Sequence, residues 1–178
     1  MVRVIGLFVA ASLLLAGCGS ADPKEPKPTA AVSATATVPA MPPEAKEDSK
    51  AGAIAFVKHY IDVFNYASNT GDVEELQKLS DPKCEACRNY IQLFDKTYSE
   101  GGYFKDSDWI LSDPRLEVRD QASVVLGHIH APAGTYKVRK GIDVKPGDPE
   151  DFAATYLPFH ATDGWQMSNF GKQGSESK

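Results

Sequence analysis

The chain has no surplus of positive charge: 19 Lys and Arg stand against 24 Asp and Glu, a net charge of −5 over 178 residues. Nucleic acid and anionic lipid headgroups both need a basic face to neutralise phosphate, so neither is expected as a principal partner. The apolar run from Val4 to Ala16 is too short for a stable transmembrane helix. Cysteine is scarce, with Cys18, Cys84 and Cys87 only. The four histidines, His59, His128, His130 and His160, fall in no His-Glu-x-x-His pattern, which removes the commonest helical zinc motif. Between Gly19 and Pro43 there is no aromatic residue.

What is present starts with a leader. Arg3, the uncharged run after it and the small residues before Cys18 give the n-region, h-region and cleavage site of a signal peptide. Leu15-Ala16-Gly17-Cys18 resembles the lipobox at which bacterial export enzymes attach diacylglycerol to a cysteine. Residues 1–17 are therefore expected to be removed and Cys18 lipidated. The competing reading, an ordinary signal peptide that leaves Cys18 as a free thiol, is disfavoured because a bare thiol is unusual in an exported chain. Two or three acyl chains anchor stably where one is marginal. The expected location is the extracytoplasmic face of the cell membrane, and the expected membrane contact is the lipid anchor. Removing Arg3 with the leader leaves 18 basic against 24 acidic residues, a net charge of −6.

Residues 18–43, rich in Ala, Thr and Ser and with prolines from Pro23 to Pro43, read as a tether. They cannot bury enough apolar surface to offset chain entropy, and the prolines bias them toward polyproline II. Stretched, the segment reaches roughly 70 Å. A Pro-rich ligand for a partner would need a repeated recognition motif, which is absent.

Residues 44–172 are one domain's worth of chain, with 173–178 expected to be a disordered tail. The acidic Glu44, Glu47 and Asp48 suit the start of a helix. Ala53, Val57, Tyr60, Phe64 and Ala67 then recur at helical spacing and should be buried. Lys58, Asp62, Asn65 and His59 are expected on the solvated side, and Gly71 should close the helix in the left-handed region. Asp72 opens a short second helix. A third carries Cys84, Cys87, Ile91, Phe94 and Tyr98 on one stripe and stops at Gly101-Gly102. Beyond Trp109 the period becomes two: Leu116 and Val118, Ala122 to Ala131, Tyr136 and Val138, Phe152 to Ala161, and Trp165 to Phe170. Thr162-Asp163-Gly164 reads as the last hairpin turn. Pro158 lacks a ladder donor, so its strand needs an edge or a bulge there, and the domain is expected to be a monomer.

Helices followed by antiparallel strands make an α+β protein. The long first helix, the Thr70-Gly71-Asp72 junction, the cysteines opening a later helix and the terminal Asp163-Gly164-Trp165 strand resemble the NTF2-like (cystatin-like) cone fold. Behind a lipobox and a proline-rich tether, the chain resembles an uncharacterised actinobacterial lipoprotein family built on that fold. The resemblance implies a curved sheet wrapped on the first helix around a conical cavity. It implies no particular chemistry, since relatives include isomerases, cyclases, dehydratases and non-enzymatic modules.

Lipidation of Cys18 leaves Cys84 and Cys87 as a pair, and even parity in an oxidising compartment favours a disulfide. A redox dithiol and a metal ligand pair are the two other readings. Tyr60, Trp109, His128, His130 and His160 are candidates for the cavity or its mouth, and of Tyr60, Phe64, Tyr98, Tyr103, Trp109, Tyr136, Tyr156, Phe159 and Trp165 an NTF2-like cone would turn several inward. His128 and His130 share a strand face, but two ligands make no metal site. No catalytic residue, metal or cofactor is assigned. The expected function is non-catalytic binding of an envelope ligand or protein; the alternatives are an isomerase- or dehydratase-type enzyme using the cavity and a self-associating structural protein.

Overall fold

The computed structural model describes residues 36–120 and 122–174. The leader, Cys18, the tether up to residue 35 and residues 175–178 lie outside the described residues. Helices come first, α1 (Lys50–Thr70), α2 (Glu74–Lys78) and α3 (Glu85–Ser99). Strands β1 (Tyr103–Lys105), β2 (Ile110–Arg119), β3 (Ala122–Ala131), β4 (Thr135–Lys137), β5 (Lys145–Pro146), β6 (Glu150–Ala161) and β7 (Gly164–Lys172) follow. The architecture is α+β, with the helices packed on antiparallel sheet.

Of the acidic residues expected to open the first helix, Glu44 lies instead within a 3-10 turn at Pro43–Lys46, and Glu47 and Asp48 follow it. Ser49 is the true cap: extended at φ −149°, its Oγ accepts from the Gly52 N–H at 2.9 Å, meeting one of the donors a helix start leaves free. Core contacts begin upstream of Glu44, where Met41 packs against the buried cluster. The α1 stripe is buried as its spacing predicts, with Ala53, Val57, Tyr60 and Ala67 at 0% exposure.

His59 does not lie on a solvated side. It is 2% exposed, because α1 meets α2 and α3 as well as strands of both sheets, leaving only a narrow wet strip around Lys58 and Asp62. Gly71 closes the helix at φ 77° with its N–H on the Ala67 carbonyl at 2.8 Å. A Cβ there would run into the Tyr98 ring, so glycine is required by conformation and by space. Tyr98 in turn donates to the Ser68 carbonyl at 2.8 Å and accepts from the Phe104 N–H at 3.4 Å, tying the end of α1 to α3 and β1.

Asp72 opens α2 from one position further out than expected. Val73 is the cap residue and has no side chain to cap with, while the Asp72 carboxylate accepts from Glu74 N–H at 3.2 Å. Cys84 caps α3, and a disulfide joins it to Cys87. Both cysteines are buried, at 1% and 0% exposure. Just before them the chain is fastened to β7: Asp81 N–H donates to the Met167 carbonyl at 2.9 Å and Met167 N–H to that of Leu79 at 2.8 Å.

The main sheet has the order β2-β3-β6-β7, antiparallel throughout. The sequence does not foretell a second sheet, β1-β4-β5; its strands are two or three residues long, too short to show a period. Val125, Ile129, Ala154, Tyr156, Met167 and Phe170 belong to the core with α1 and α3. Alternation therefore turns His128 and His130 to the outer face. Pro158 sits where both of its requirements are met. β3 pairs with β6 only as far as Tyr156, and the β6–β7 register shifts between Leu157 and Pro158. Ser168, the extra residue opposite, donates to the Leu157 carbonyl at 2.6 Å, satisfying a group the bulge would leave free.

Replacing Cys84 and Cys87 together by serine should lower stability by roughly 2 kcal/mol, the chain-entropy value for so short a loop. Denaturant melts of wild type and variant, with and without reductant, check this; equal midpoints in the absence of reductant would show that the bridge contributes nothing.

Candidate functional site

The side chain that organises the site is Asn65. Its amide oxygen accepts from the Trp109 N–H at 2.8 Å and its amide nitrogen donates to the Trp109 carbonyl at 2.9 Å. One side chain thus satisfies both main-chain groups of the residue that leads into β2, as a neighbouring strand would. The clamp sets the indole against Phe64, centroids 4.6 Å apart. Tyr90 and Phe94 of α3 add edge contacts to Phe64 at 4.9 and 5.1 Å.

These rings wall a cleft of about 230 Å³, completed by Phe104 and Tyr136 and bordered by Asp148 and Glu150. Tyr90 and Trp109 also wall a second, smaller cavity of about 60 Å³, lined further by Phe152, Tyr156, Phe170 and Lys172. Tyr156 is 0% exposed and its hydroxyl has no hydrogen-bond partner. Burial pushes its pKa upward, with the Tyr90 and Tyr60 hydroxyls adding to the effect, so it remains a protonated donor. Tyr90 is raised first by burial and then by the Glu150 carboxylate. At the edge, Lys172 Nζ lies 3.6 Å from Glu150 Oε2 and 4.6 Å from the centre of the Phe152 ring.

The residues read from sequence as cavity candidates divide sharply. Trp109 lines both spaces. Tyr60 does not: it is buried in the core at 0% exposure, 3.0 Å from Ser80 Oγ. Ser80 spends its own proton on the Leu76 carbonyl at 2.7 Å, so Tyr60 is the donor of that pair. His128 and His130 are on the outer face, where His128 lines a separate pocket with Asp113 and Arg115 and His128 Nε2 lies 3.0 Å and His130 Nδ1 3.4 Å from the two oxygens of Asp151. His160 packs edge-on against Trp165 at 5.0 Å, 3.9 Å from Asp48 Oδ2. Among the described residues no three His, Cys, Asp or Glu side chains are grouped to hold a metal. Sequence reasoning misses Tyr90, Phe152 and Phe170 at the site, because nothing in their spacing separates a core ring from a cavity wall.

Residues 30–168 match the model of a family of unknown function, DUF6318. The chain belongs to this family. No curated protein matches it significantly. Among solved structures, the intermembrane space region of the chloroplast protein ARC6 is similar at a TM-score of 0.52 and 13% identity, over 71% of this chain and 97% of that one. That likeness concerns the fold alone. An NTF2-like protein with a cystatin-like fold from Novosphingobium aromaticivorans is similar at a TM-score of 0.41 and 11% identity, covering 68% of this chain and 82% of its own. A protein of the NTF2-like family from Streptomyces avermitilis is similar at 0.42 and 18%, covering 68% and 95%.

Among the described residues of this DUF6318 member, two buried side-chain polar atoms lack partners, Tyr156 Oη and His59 Nε2, and each gives a prediction. An unmet buried hydroxyl costs about 1–3 kcal/mol, so Tyr156→Phe should stabilise the ligand-free protein by about 1 kcal/mol in urea melts; destabilisation would show that the hydroxyl is already satisfied. Burial lowers the pKa of His59, partly opposed by Asp62 and Glu75. As pH falls through about 6.5 the unfolded chain takes up a proton that the folded one resists, so stability drops there and is unaffected by His59 above it. The melting-temperature difference between wild type and His59→Gln should therefore shift against wild type from pH 7.5 to 5; a flat difference would exclude it.

Proposed function

We propose that the protein is a cell-envelope lipoprotein, anchored through Cys18 at the extracytoplasmic face of the membrane, whose folded domain binds a small ligand in the aromatic cleft without transforming it. The observation that carries the binding reading is a cavity walled by rings of α1, α3 and the strands beside a second that holds a buried, unpartnered Tyr156 hydroxyl. Apolar walls with a few placed polar groups are the usual make-up of a ligand site. The envelope reading is supported by the lipobox and the proline-rich tether, and the order of elements behind them supports descent with NTF2-like actinobacterial lipoproteins. No helix among the described residues is long and apolar enough to cross a membrane, and in this reading attachment is by the acyl chains on Cys18.

An acid/base enzyme draws less support. The cleft's carboxylates, Asp148 and Glu150, are both exposed at its border. The histidines outside the core are committed elsewhere, to Asp151 and against Trp165. Self-association through continuous sheet pairing is opposed by the Pro158 bulge.

Cys18→Ala should move the protein out of the membrane fraction and abolish incorporation of a labelled fatty acid, with the folded domain unchanged. A wild-type protein that is unacylated and cytosolic would overturn the reading. Binding is tested separately: native mass spectrometry of the protein taken from its own envelope should show a small molecule that is absent from Trp109→Ala.

A further inference from the structure

We infer that the aromatic cleft is built for a small organic cation, an ammonium group on a compact apolar body. This rests on reading the cleft as a binding site, and adds the charge and size of what enters it. Trp109, Tyr90, Phe104 and Tyr136 line it, and an aromatic ring attracts a cation placed over its face, more strongly where water is excluded. Its charged lining is Asp148 and Glu150, with no Lys, Arg or His. Among the described residues Asp148 has no ion-pair partner, whereas Glu150 is met by Lys172 at 3.6 Å.

Charge therefore decides the class of ligand. A carboxylate or phosphate placed here would give up water beside Asp148 and meet no cation among the lining residues. An ammonium gains both the rings and the unneutralised Asp148. The chain also displays the same chemistry next door: the Lys172 ammonium rests 4.6 Å from the centre of the Phe152 ring while held by Glu150.

Volume decides the size. About 230 Å³ falls below the roughly 300–1,000 Å³ of sites for drug-sized ligands. A quaternary ammonium with a short arm is small enough to enter it.

Choline, its uncharged carbon isostere 3,3-dimethylbutan-1-ol, and the anion 3,3-dimethylbutanoate have similar shape and differ in charge. Isothermal titration of the full acylated protein in maltoside micelles should find choline at least about tenfold tighter than the alcohol, a difference of about 1.4 kcal/mol, and no binding of the anion. Asp148→Asn should weaken choline several-fold and Asp148→Asn with Glu150→Gln about tenfold, the alcohol being unaffected by either; both positions are exposed, so folding is not at stake. Equal affinity for choline and the alcohol would overturn the cation and leave the cleft as a binding site. Silence of all three probes, with no small molecule retained from the envelope, would overturn both. Tighter binding of Nα-acetyl-lysine methylamide than of choline would replace the small cation by the lysine of a protein partner.

Discussion

Phe64 lies in the last two turns of α1 at 3% exposure, and its ring centre is 4.6 Å from that of Trp109, 4.9 Å from Tyr90, 5.1 Å from Phe94 and 6.2 Å from Phe170. One side chain thereby joins the first helix, the third, the start of β2 and the end of β7. Burying a phenyl ring contributes about 1.5–3 kcal/mol, while the preferred geometry of an aromatic pair adds about 0.5–1.5. Burial thus outweighs ring orientation, and the rings are free to meet at varied angles. They do so, from 32° against Trp109 to 85° against Phe170. Four of these rings, Phe64, Tyr90, Phe94 and Trp109, also line the cleft. The same contact closes the core and shapes the site.

What the amino-acid order reveals about this domain follows from which forces act locally. The α1 stripe, the Gly71 stop, the α3 stripe and the four long strands each repeat over enough residues for period and capping to identify them. β1 pairs with β4, distant in sequence, and β5 is only two residues long, so neither carries a pattern. His59 misleads because amphipathic spacing presumes one buried face, whereas α1 is covered by α2 as well as by sheet. His128 and His130 mislead differently. Alternation shows that two residues share a face, and it is silent on which face meets the helices. At the site, Trp109 is legible as an aromatic at the head of a strand. Tyr60 has the same credentials and is core, because Ser80 lies under its hydroxyl. Asn65 reads as solvated by spacing, yet its two bonds to Trp109 cross 44 positions of sequence, beyond the reach of any local rule.

Two polar exceptions in the interior have different meanings. Each unpartnered group costs on the order of 1–3 kcal/mol, a considerable part of the 5–15 kcal/mol typical of a whole domain. His59 faces protein and lines neither the aromatic cleft nor the smaller cavity beside it; its neutral form is the one the fold accommodates, and the nearby Asp62 and Glu75 oppose that only in part. Tyr156 borders a cavity, so its cost is recoverable by whatever brings an acceptor within reach. A structural liability and an open valence look alike in a census of unmet atoms; the adjoining space tells them apart.

Acidity and aromaticity act together at the cleft, and neither would be informative alone. A net negative chain has carboxylates over much of its surface, so two at a cavity border are unremarkable by count. What matters is that Asp148 has no ion-pair partner among the described residues while the walls of the cleft are aromatic. Rings lower the local dielectric, which strengthens the pull of a nearby carboxylate on a cation and sharpens its rejection of an anion. Selection by charge therefore requires no dedicated ion pair inside the cavity. It follows from placing Asp148 at the edge of an interior that Phe64 and Asn65 have already arranged.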